Sequence, residues 1–147
     1  MFQTFVSEAD PSTGAARLAA LRARLAMEGL AGFLVPRADA HQGEYVAARD
    51  ERLSWLTGFT GSAGFAIVLP GVAGVFIDGR YRVQVRGQVD LAVFTPVPWP
   101  EVKPGPWIRD NLAEGVVGFD PWLHTAEEIA ALRAQVQRIA SELGLAD

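Results

Sequence analysis

The sequence predicts an α/β domain in which helices cover both faces of a mixed β-sheet. Three observations lead to this class. Segments with helical periodicity alternate with short apolar runs along the 147 residues. One pair of runs, 65–69 and 74–77, is separated by the turn signal Pro70-Gly71 and predicts a β-hairpin. Hydrophobic residues make up 50% of the chain, which at this length suffices for the core of one domain.

The first predicted elements are a helix and a buried strand. Asp10 and Pro11 suit the cap and the first turn of the helix, and Gly29 suits the left-handed residue that ends it. The strand spans 32–35 and ends at Pro36. The apolar residues that recur at helical spacing are Leu18, Leu21, Leu25 and Met27.

A short helix and a glycine-rich turn precede the hairpin. Residues 51–57 are predicted to form a helical turn or two, with Leu53 and Leu56 pointing inward. The glycines of the turn lack a Cβ, so they permit a positive φ or a close approach of the backbone. These glycines are Gly58, Gly61 and Gly64.

The second half of the chain is predicted to continue the alternation. Asp78 caps a helix over 80–89, which leads to a strand over 91–95. A short helix over 107–112 and a strand over 116–119 follow. A stiff, extended connection is expected of the prolines in this region, which are Pro96, Pro98, Pro100, Pro104 and Pro106.

The last helix carries the clearest start signal. Thr125 and Glu128 form a capping box, in which each side chain bonds the backbone N–H of the other residue. One apolar face follows at helical spacing, so the helix is expected to pack on the sheet. Its residues are Ile129, Leu132, Val136, Ile139 and Leu143.

Composition and charge exclude several classes of function. The 13 Lys and Arg against 17 Asp and Glu leave a net charge of −4, which argues against nucleic acid or an anionic membrane surface as the main partner. Without cysteine the chain has no disulfide and no thiol nucleophile, and 2 histidines are few for a zinc site. No signal peptide and no apolar run of spanning length is visible, so a cytoplasmic location is expected.

Asp39, His41 and Glu44 lie together on a loop after the first strand. Imidazole and carboxylate groups could form a metal site or an acid/base pair. The other interpretation is structural: the same side chains would bond backbone groups and stabilise the turn. His124, the second histidine, lies far along the chain, so structural anchoring is favoured and no metal site is predicted.

Ser62 lies in a glycine-rich turn that is similar to the nucleophile elbow of hydrolases. An elbow requires glycine two residues before the serine, where this chain has Thr60. The turn also leads into a strand rather than into a helix. A serine hydrolase built on Ser62 and His41 is therefore a disfavoured hypothesis, and a phosphate-binding loop is excluded because no Gly-Lys-Ser/Thr follows.

Arg80 and the tryptophans are the remaining candidates for recognition. Arg80 could bind a substrate carboxylate through both arms of its guanidinium group, but an ion pair with Asp50 or Glu51 is favoured. Core packing is expected to account for most of the tryptophans, with contact to another domain as the alternative. The tryptophans are Trp55, Trp99, Trp107 and Trp122.

An ordered series of short motifs carries a family resemblance. The series is Asp39-Ala40-His41-Gln42-Gly43-Glu44-Tyr45, Asp50-Glu51-Arg52, Trp55-Leu56-Thr57-Gly58-Phe59-Thr60-Gly61-Ser62-Ala63-Gly64, and Asp78-Gly79-Arg80-Tyr81 with Gln84. It resembles the N-terminal domain of Xaa-Pro aminopeptidases (aminopeptidase P) in the creatinase/prolidase family. The resemblance covers most of the chain. Gly43 departs from it, because serine is expected at that position.

The resemblance implies a ribonuclease-H-like topology for residues 1–147 and a non-catalytic role. In such enzymes a separate C-terminal domain of pita-bread fold holds two metal ions, usually manganese, which activate water to attack the bond before a proline. No matching ligand series occurs in this chain, so the catalytic domain is absent from it and no catalytic residue or metal ligand is assigned here. The resemblance also implies that downstream domains of the same polypeptide are partners, and that the parent is a homodimer.

The resemblance assigns the N-terminal domain a role in shaping access to the active site and in dimerisation. Peptide substrate would at most touch it peripherally. The candidate residues for the substrate entrance or the interdomain surface are Asp39, His41, Glu44, Tyr45, Arg80 and Tyr81. The alternative is a free-standing α/β binding or interaction module without enzyme activity, suggested by a sequence that ends soon after its last helix.

Overall fold

A computed structural model describes the backbone of residues 10–142 and the side chains of residues 10–137. Five strands form one sheet in the order β4-β3-β2-β1-β5. The strands are β1 (Gly32–Pro36), β2 (Phe65–Val68), β3 (Ala73–Ile77), β4 (Thr95–Pro98) and β5 (Val117–Gly118). The helices are α1 (Gly14–Met27), α2 (Arg52–Thr57), α3 (Arg82–Gln88), α4 (Pro104–Asn111) and α5 (Ala126–Glu142).

The helices divide between the two faces of the sheet. One apolar core lies between the sheet and α1, α2 and α3, and it includes Leu18, Leu53 and Val85. A second core lies on the opposite face, where α4 and α5 pack and where Phe76 and Ile108 are buried. The alternation of strand residues between these cores follows from the twofold period of a strand. The predicted α/β class with helices on both faces is confirmed.

The sheet is mixed, as predicted. β1 and β2 pair antiparallel, as do β2 and β3, whereas β3–β4 and β1–β5 are parallel pairs. The predicted hairpin is β2–β3, closed by a hydrogen bond from Leu69 N–H to Val72 C=O at 2.8 Å. Because only β2 runs in the reverse direction, β1, β3, β4 and β5 all end at the same edge of the sheet.

The predicted start and end of the first helix and the predicted start of the last helix are present. Asp10 accepts a hydrogen bond from Ser12 N–H at 3.0 Å, and Gly29 adopts a φ of +72°. Thr125 N–H donates to Glu128 at 3.0 Å and Glu128 N–H donates to Thr125 at 3.1 Å, which completes the capping box. The helix opened by Asp10 starts with a 3-10 turn, Pro11–Thr13, before α1.

One predicted core residue of α1 is exposed, and two predicted core residues of the last helix lie outside the described side chains. Met27 was expected among the core residues of α1, but its side chain is 80% exposed because it lies beyond the stripe formed by the leucines. The expected core positions Ile139 and Leu143 of the last helix lie outside the residues whose side chains the structure describes.

The predicted strand over 91–95 is wrong. Residues 91–93 form a turn, and β4 begins at Thr95 and contains Pro96 and Pro98. β4 lies at the edge of the sheet and pairs only with β3 among the described strands. Proline is tolerated on an edge strand because the missing N–H group would point away from the neighbouring strand.

The predicted extended proline connection is also wrong over much of its length. Pro96 and Pro98 belong to β4, while Pro104 and Pro106 belong to α4. α4 therefore starts three residues before the predicted helix over 107–112. Proline fits the first turn of a helix because the N–H groups there have no partner within the helix. Only Pro100 of the five prolines stands in the connection itself.

We expect Gly58→Ala to lower the free energy of unfolding by about 3 kcal/mol, because the substitution combines a strained backbone conformation with steric overlap of the added Cβ. Gly58 adopts a φ of +86°, and a Cβ there would lie 2.4 Å from the carbonyl oxygen of Gln88. Gly29→Ala is the matched control, with a φ of +72° and no atom within 4 Å of the added Cβ. Its expected cost is about 1 kcal/mol. Urea unfolding measures both, and equal losses in the two variants would contradict this account.

We expect the stability of the fold to fall on mild acidification through His124. Burial lowers the pKa of His124 below its ordinary value of 6.5, although Glu128 and Asp120 oppose the shift. A lowered pKa means that the folded state disfavours the imidazolium form. The free energy of unfolding is therefore highest above about pH 6.5. It falls as the pH drops below this value and levels off below the pKa of His124 in the folded state.

The measurement is urea unfolding between about pH 5 and 8, where few carboxyl groups titrate. His124→Gln removes the titrating ring and should flatten the dependence in this range. A slope unchanged in His124→Gln would show that another group is responsible.

Candidate functional site: the carboxyl edge of the sheet

The predicted site residues lie on loops at one edge of the sheet. This carboxyl edge comprises the segments after β1, β3, β4 and β5 and the turn that leads into β2. In chain order the segments are 37–45, 58–64, 78–81, 99–103 and 119–124. Loops at the carboxyl ends of parallel strands are where open α/β sheets place functional groups.

Asp39 anchors the loop after β1. Its side chain is buried, with 6% of the residue exposed, and one carboxylate oxygen accepts hydrogen bonds from His41 N–H at 2.9 Å and Gly43 N–H at 3.1 Å. The hydrogen bond from Gly43, with help from that of His41, holds the pKa of Asp39 below its usual range even though burial opposes the shift. The carboxylate thus bonds backbone groups of its own loop.

Gln42 connects this loop to the segment after β5. It adopts a φ of +55°, and its side-chain amide donates to Asp39 C=O at 3.3 Å and to Leu123 C=O at 3.2 Å. Sequence reasoning missed this bridge. An amide side chain within the motif was the available signal, but its partner is 81 residues away.

The other candidates on the loop point into solvent. His41 and Glu44 are exposed, and Tyr45 is 87% exposed. Arg37 donates through two guanidinium nitrogens to the Glu44 carbonyl oxygen at 3.4 Å, which restrains the backbone beside Tyr45. The glycine at position 43 leaves ordinary contact distance for a Cβ, 3.6 Å from the Asp39 carboxylate, so the serine expected there would also fit.

Arg80 pairs with Asp78 rather than with the predicted partners Asp50 or Glu51. Its guanidinium nitrogens donate to both Asp78 oxygens, at 2.7 Å to one and 3.2 Å to the other. The hydrogen bond from Arg80 lowers the pKa of Asp78, and the same bond raises that of Arg80. The two residues flank a single glycine, so the pair is local, and the Arg80 side chain is still 68% exposed.

Tyr81 joins the segment after β3 to the glycine-rich turn. Its hydroxyl forms a short hydrogen bond with the Ser62 hydroxyl and also accepts from Ser62 N–H at 3.1 Å. The bond to the Ser62 side chain lowers the pKa of Tyr81. The ring meets Phe59 edge-on, with 5.5 Å between centroids. Ser62 is thus bonded to a phenol, and neither group has the imidazole partner that a serine nucleophile requires.

The glycines of the turn allow this close arrangement. Gly64 adopts a φ of +154°, and a Cβ at Gly61 would come within 2.3 Å of the Phe59 ring. Gly58 ends α2 in the left-handed conformation. The turn can therefore fold over Phe59 while holding Ser62 against Tyr81.

The expectation that core packing explains most of the tryptophans is wrong. Only Trp107 packs into a core, edge-on to Phe76 with 5.2 Å between centroids. Trp55 is 56% exposed, Trp99 is 40% exposed and Trp122 is 77% exposed. Trp99 and Trp122 follow β4 and β5 and so belong to the carboxyl edge, whereas Trp55 lies in α2 beneath Arg17.

Trp122 is held in a well-anchored segment. Asp120 accepts from Trp122 N–H at 2.9 Å and pairs with Arg52 at 2.5 Å. Burial raises the pKa of Asp120, but the Trp122 N–H group and Arg52 lower it overall. Sequence reasoning assigned Asp120 no role, because its partner Arg52 is remote in the chain.

The residues of the carboxyl edge do not fit a metal ion. Across residues 10–137, no group of three or more His, Asp or Glu side chains is placed to hold one. Asp39, the most buried carboxylate among the candidates, already accepts two backbone hydrogen bonds. Over the same part of the chain, no helix has the length and apolar character that a membrane span requires.

Comparison with known proteins places this fold in a family. Residues 17–144 match the creatinase/prolidase N-terminal domain. Xaa-Pro aminopeptidase 2 of Homo sapiens is 41% identical over 113 residues, which cover 72% of this chain and 16% of that protein. The Sus scrofa protein of the same name is 35% identical over 135 residues, covering 87% of this chain and 19% of that protein.

Solved structures agree with the sequence comparison. The X-prolyl aminopeptidase of Caenorhabditis elegans, described as a cytosolic enzyme with a di-nuclear active site, superposes with a TM-score of 0.76 at 29% identity. That superposition covers 86% of this chain and 23% of the enzyme. The N-terminal domain of the cytoplasmic peptidase PepQ from Mycobacterium tuberculosis gives a TM-score of 0.62 at 26% identity, covering 83% and 85% of the two chains.

The matched relatives are much longer than this chain, which spans 16% to 19% of the two mammalian proteins. The match to the family nevertheless extends over residues 17–144, and the sheet with its two helical layers agrees with it. The chain therefore belongs to the creatinase/prolidase N-terminal domain family.

Proposed function

We propose that this chain acts as the non-catalytic N-terminal domain of a metal-dependent Xaa-Pro aminopeptidase, a hydrolase that releases the residue before a penultimate proline. The observation that carries the proposal is the carboxyl edge itself. Its polar side chains Asp39, Tyr81 and Arg80 are hydrogen-bonded within the domain, exposed aromatic rings lie beside them, and these groups do not form a nucleophile with its base. Such a surface suits contact with another domain better than it suits chemistry.

In this proposal the hydrolytic chemistry belongs to a separate domain of the same polypeptide. Two metal ions, which the family resemblance implies to be manganese, would activate the attacking water there. The C. elegans structure, described as having a di-nuclear active site, supports a metal enzyme as the parent. Because the same enzyme is described as cytosolic, we also assign the parent to the cytoplasm.

The carboxyl edge would form one wall of the entrance to that active site. Tyr45 and Trp122 project from neighbouring, anchored segments, with the bridge from Gln42 to Leu123 between them. A rigid wall excludes bulky substrates without losing conformational entropy when a short peptide enters. The proposed wall residues are Asp39, His41, Glu44, Tyr45, Arg80, Tyr81 and Trp122. Contact across this edge would also support a homodimer of the parent.

The alternative function, that of a free-standing binding module, would use the same exposed surface. It differs in what the surface meets, because a module needs no catalytic domain beside it. The two functions therefore separate in the activity of a longer polypeptide.

The test compares the 147-residue chain with the longer polypeptide that the proposal requires. Both are incubated with Mn²⁺ and the peptides Ala-Pro-Ala and Ala-Ala-Ala. We expect release of alanine from Ala-Pro-Ala only with the longer polypeptide. Turnover by the short chain would contradict a non-catalytic role, and a gene that encodes no catalytic domain would favour the binding module.

Within the longer polypeptide, we expect Tyr45→Ala combined with Trp122→Ala to raise kcat/KM for long Xaa-Pro peptides by about fivefold. The main effect should be a lower KM, because the wall that excludes bulky substrates becomes smaller. The two rings are 87% and 77% exposed, so their loss should not unfold the domain. Trp55→Ala is the matched control, since Trp55 is 56% exposed but lies away from the carboxyl edge. Steady-state kinetics with short and long Xaa-Pro peptides measures the effect. Equal changes in the double variant and the control would contradict the assignment of the edge.

A further inference from the structure

A groove of about 270 Å³ lies between α3 and the edge strand β4. Val97 of this strand is buried in the second core, so the residues on either side of it turn their rings toward the face that α3 covers. None of the residues that line the groove belongs to the segments of the carboxyl edge. They are Ile77, Arg82, Arg86, Pro96 and Pro98, and they combine an apolar floor with two guanidinium groups.

The two arginines of the groove lie on one side of α3. Arg82 and Arg86 are four residues apart, which places their side chains one above the other on a helix. Both side chains are exposed, whereas Val85 beside them is fully buried and fixes the helix on the sheet. Because arginine stays protonated at any ordinary pH, the groove carries two positive charges.

The two guanidinium groups differ in the partners that they have. Arg82 donates to the Glu101 carboxylate at 2.7 Å, and these side chains are 56% and 58% exposed. An ion pair so open to solvent is weak, so a ligand with more negative charge can take the place of Glu101. Arg86 forms no hydrogen bond or ion pair within the part of the chain that the structure describes. One cation of the groove is therefore free, and the other is held loosely.

The charge of the groove matches a phosphate monoester better than a carboxylate. Near pH 7 a phosphate monoester carries about −1.5 to −2 charges and three strong acceptor oxygens. Two arginines can bind such a group together, because each guanidinium presents parallel N–H groups that match phosphate oxygens. A carboxylate carries a single charge and is satisfied by one arginine, as Glu101 is by Arg82.

The floor and the volume of the groove select the organic part of the ligand. The floor consists of the two proline rings and the side chain of Ile77. Proline rings pack well against aromatic rings, as they do when proline-rich peptides are recognised. Pockets for drug-sized ligands have about 300–1,000 Å³. The smaller volume of this groove fits one ring and its phosphate group.

We propose that the groove between α3 and β4 binds a small aryl phosphate. The phosphate lies between Arg82 and Arg86, where it displaces Glu101, and the aromatic ring lies on Pro96 and Pro98. The proposal goes beyond the proposed function and does not rest on it, because it involves neither the carboxyl edge nor peptide hydrolysis.

The test titrates the 147-residue chain with phenyl phosphate and follows its backbone amides by NMR. The titration is run at low salt and about pH 7.5, where the phosphate is largely dianionic. We expect saturable shifts in α3 and β4 with a dissociation constant of about 1 mM. Benzoate keeps the ring with one charge, and inorganic phosphate keeps the charge without the ring. Each should bind about fivefold more weakly. Absence of saturable shifts, or equal binding of either compound and phenyl phosphate, would overturn the proposal.

Three exposed side chains provide the variants for the same titration. Arg86→Gln removes the cation that has no partner and should weaken binding about tenfold. Arg24→Gln is the matched control, since Arg24 is an exposed arginine on α1 that pairs with Glu28 at 2.7 Å. Its substitution should leave binding unchanged. Glu101→Gln removes the competitor for Arg82 and should strengthen binding about threefold.

The variants also separate a site from a general attraction to positive charge. Equal losses in Arg86→Gln and Arg24→Gln would show that phenyl phosphate senses only the net charge of the chain, and would overturn the proposal. Unchanged or weaker binding by Glu101→Gln would do the same, because the phosphate would then not compete for Arg82.

Discussion

The direction of the strands is the constraint on which this site depends. β1, β3, β4 and β5 run the same way, so the loops that follow them meet at one edge, and the turn before β2 joins them there. Residues as far apart in the chain as Gln42 and Leu123 become hydrogen-bonded neighbours through this arrangement. The helices on both faces leave the edge itself uncovered, and exposed rings such as Trp122 lie on it.

Hydrogen bonds within the domain convert these loops into a defined surface. Asp39 holds the loop after β1, Asp120 holds Trp122 and pairs with Arg52, and Tyr81 bonds Ser62 across two segments. Each of these polar groups is thereby hydrogen-bonded within the domain, while aromatic rings beside them stay exposed. A surface of this kind loses little conformational entropy on contact with another domain. It therefore suits interdomain contact better than it suits catalysis.

The sequence predicted the elements whose signals are local. The cap at Asp10 and the capping box at Thr125 depend on short-range hydrogen bonds. The turn at Pro70-Gly71 follows from the backbone preferences of these two residues alone. The strand over 91–95 was misplaced because the prolines of β4 argue against a strand until its edge position is known. The motif residues were found, but their partners were not. Tyr81 with Ser62 and Arg52 with Asp120 depend on how distant segments pack, and exposure of Trp122 depends on which loops surround it.

We propose that the carboxyl edge is the surface that this domain presents to the rest of a longer polypeptide. Hydroxyl-radical footprinting, read by mass spectrometry, tests it by comparing the domain alone with the longer polypeptide. The account predicts that oxidation of Tyr45 and Trp122 falls in the longer polypeptide, whereas that of Trp55 in α2 is unchanged. Protection of Trp55 with Tyr45 and Trp122 still fully oxidised would contradict it, because the docking surface would then lie on the helical face.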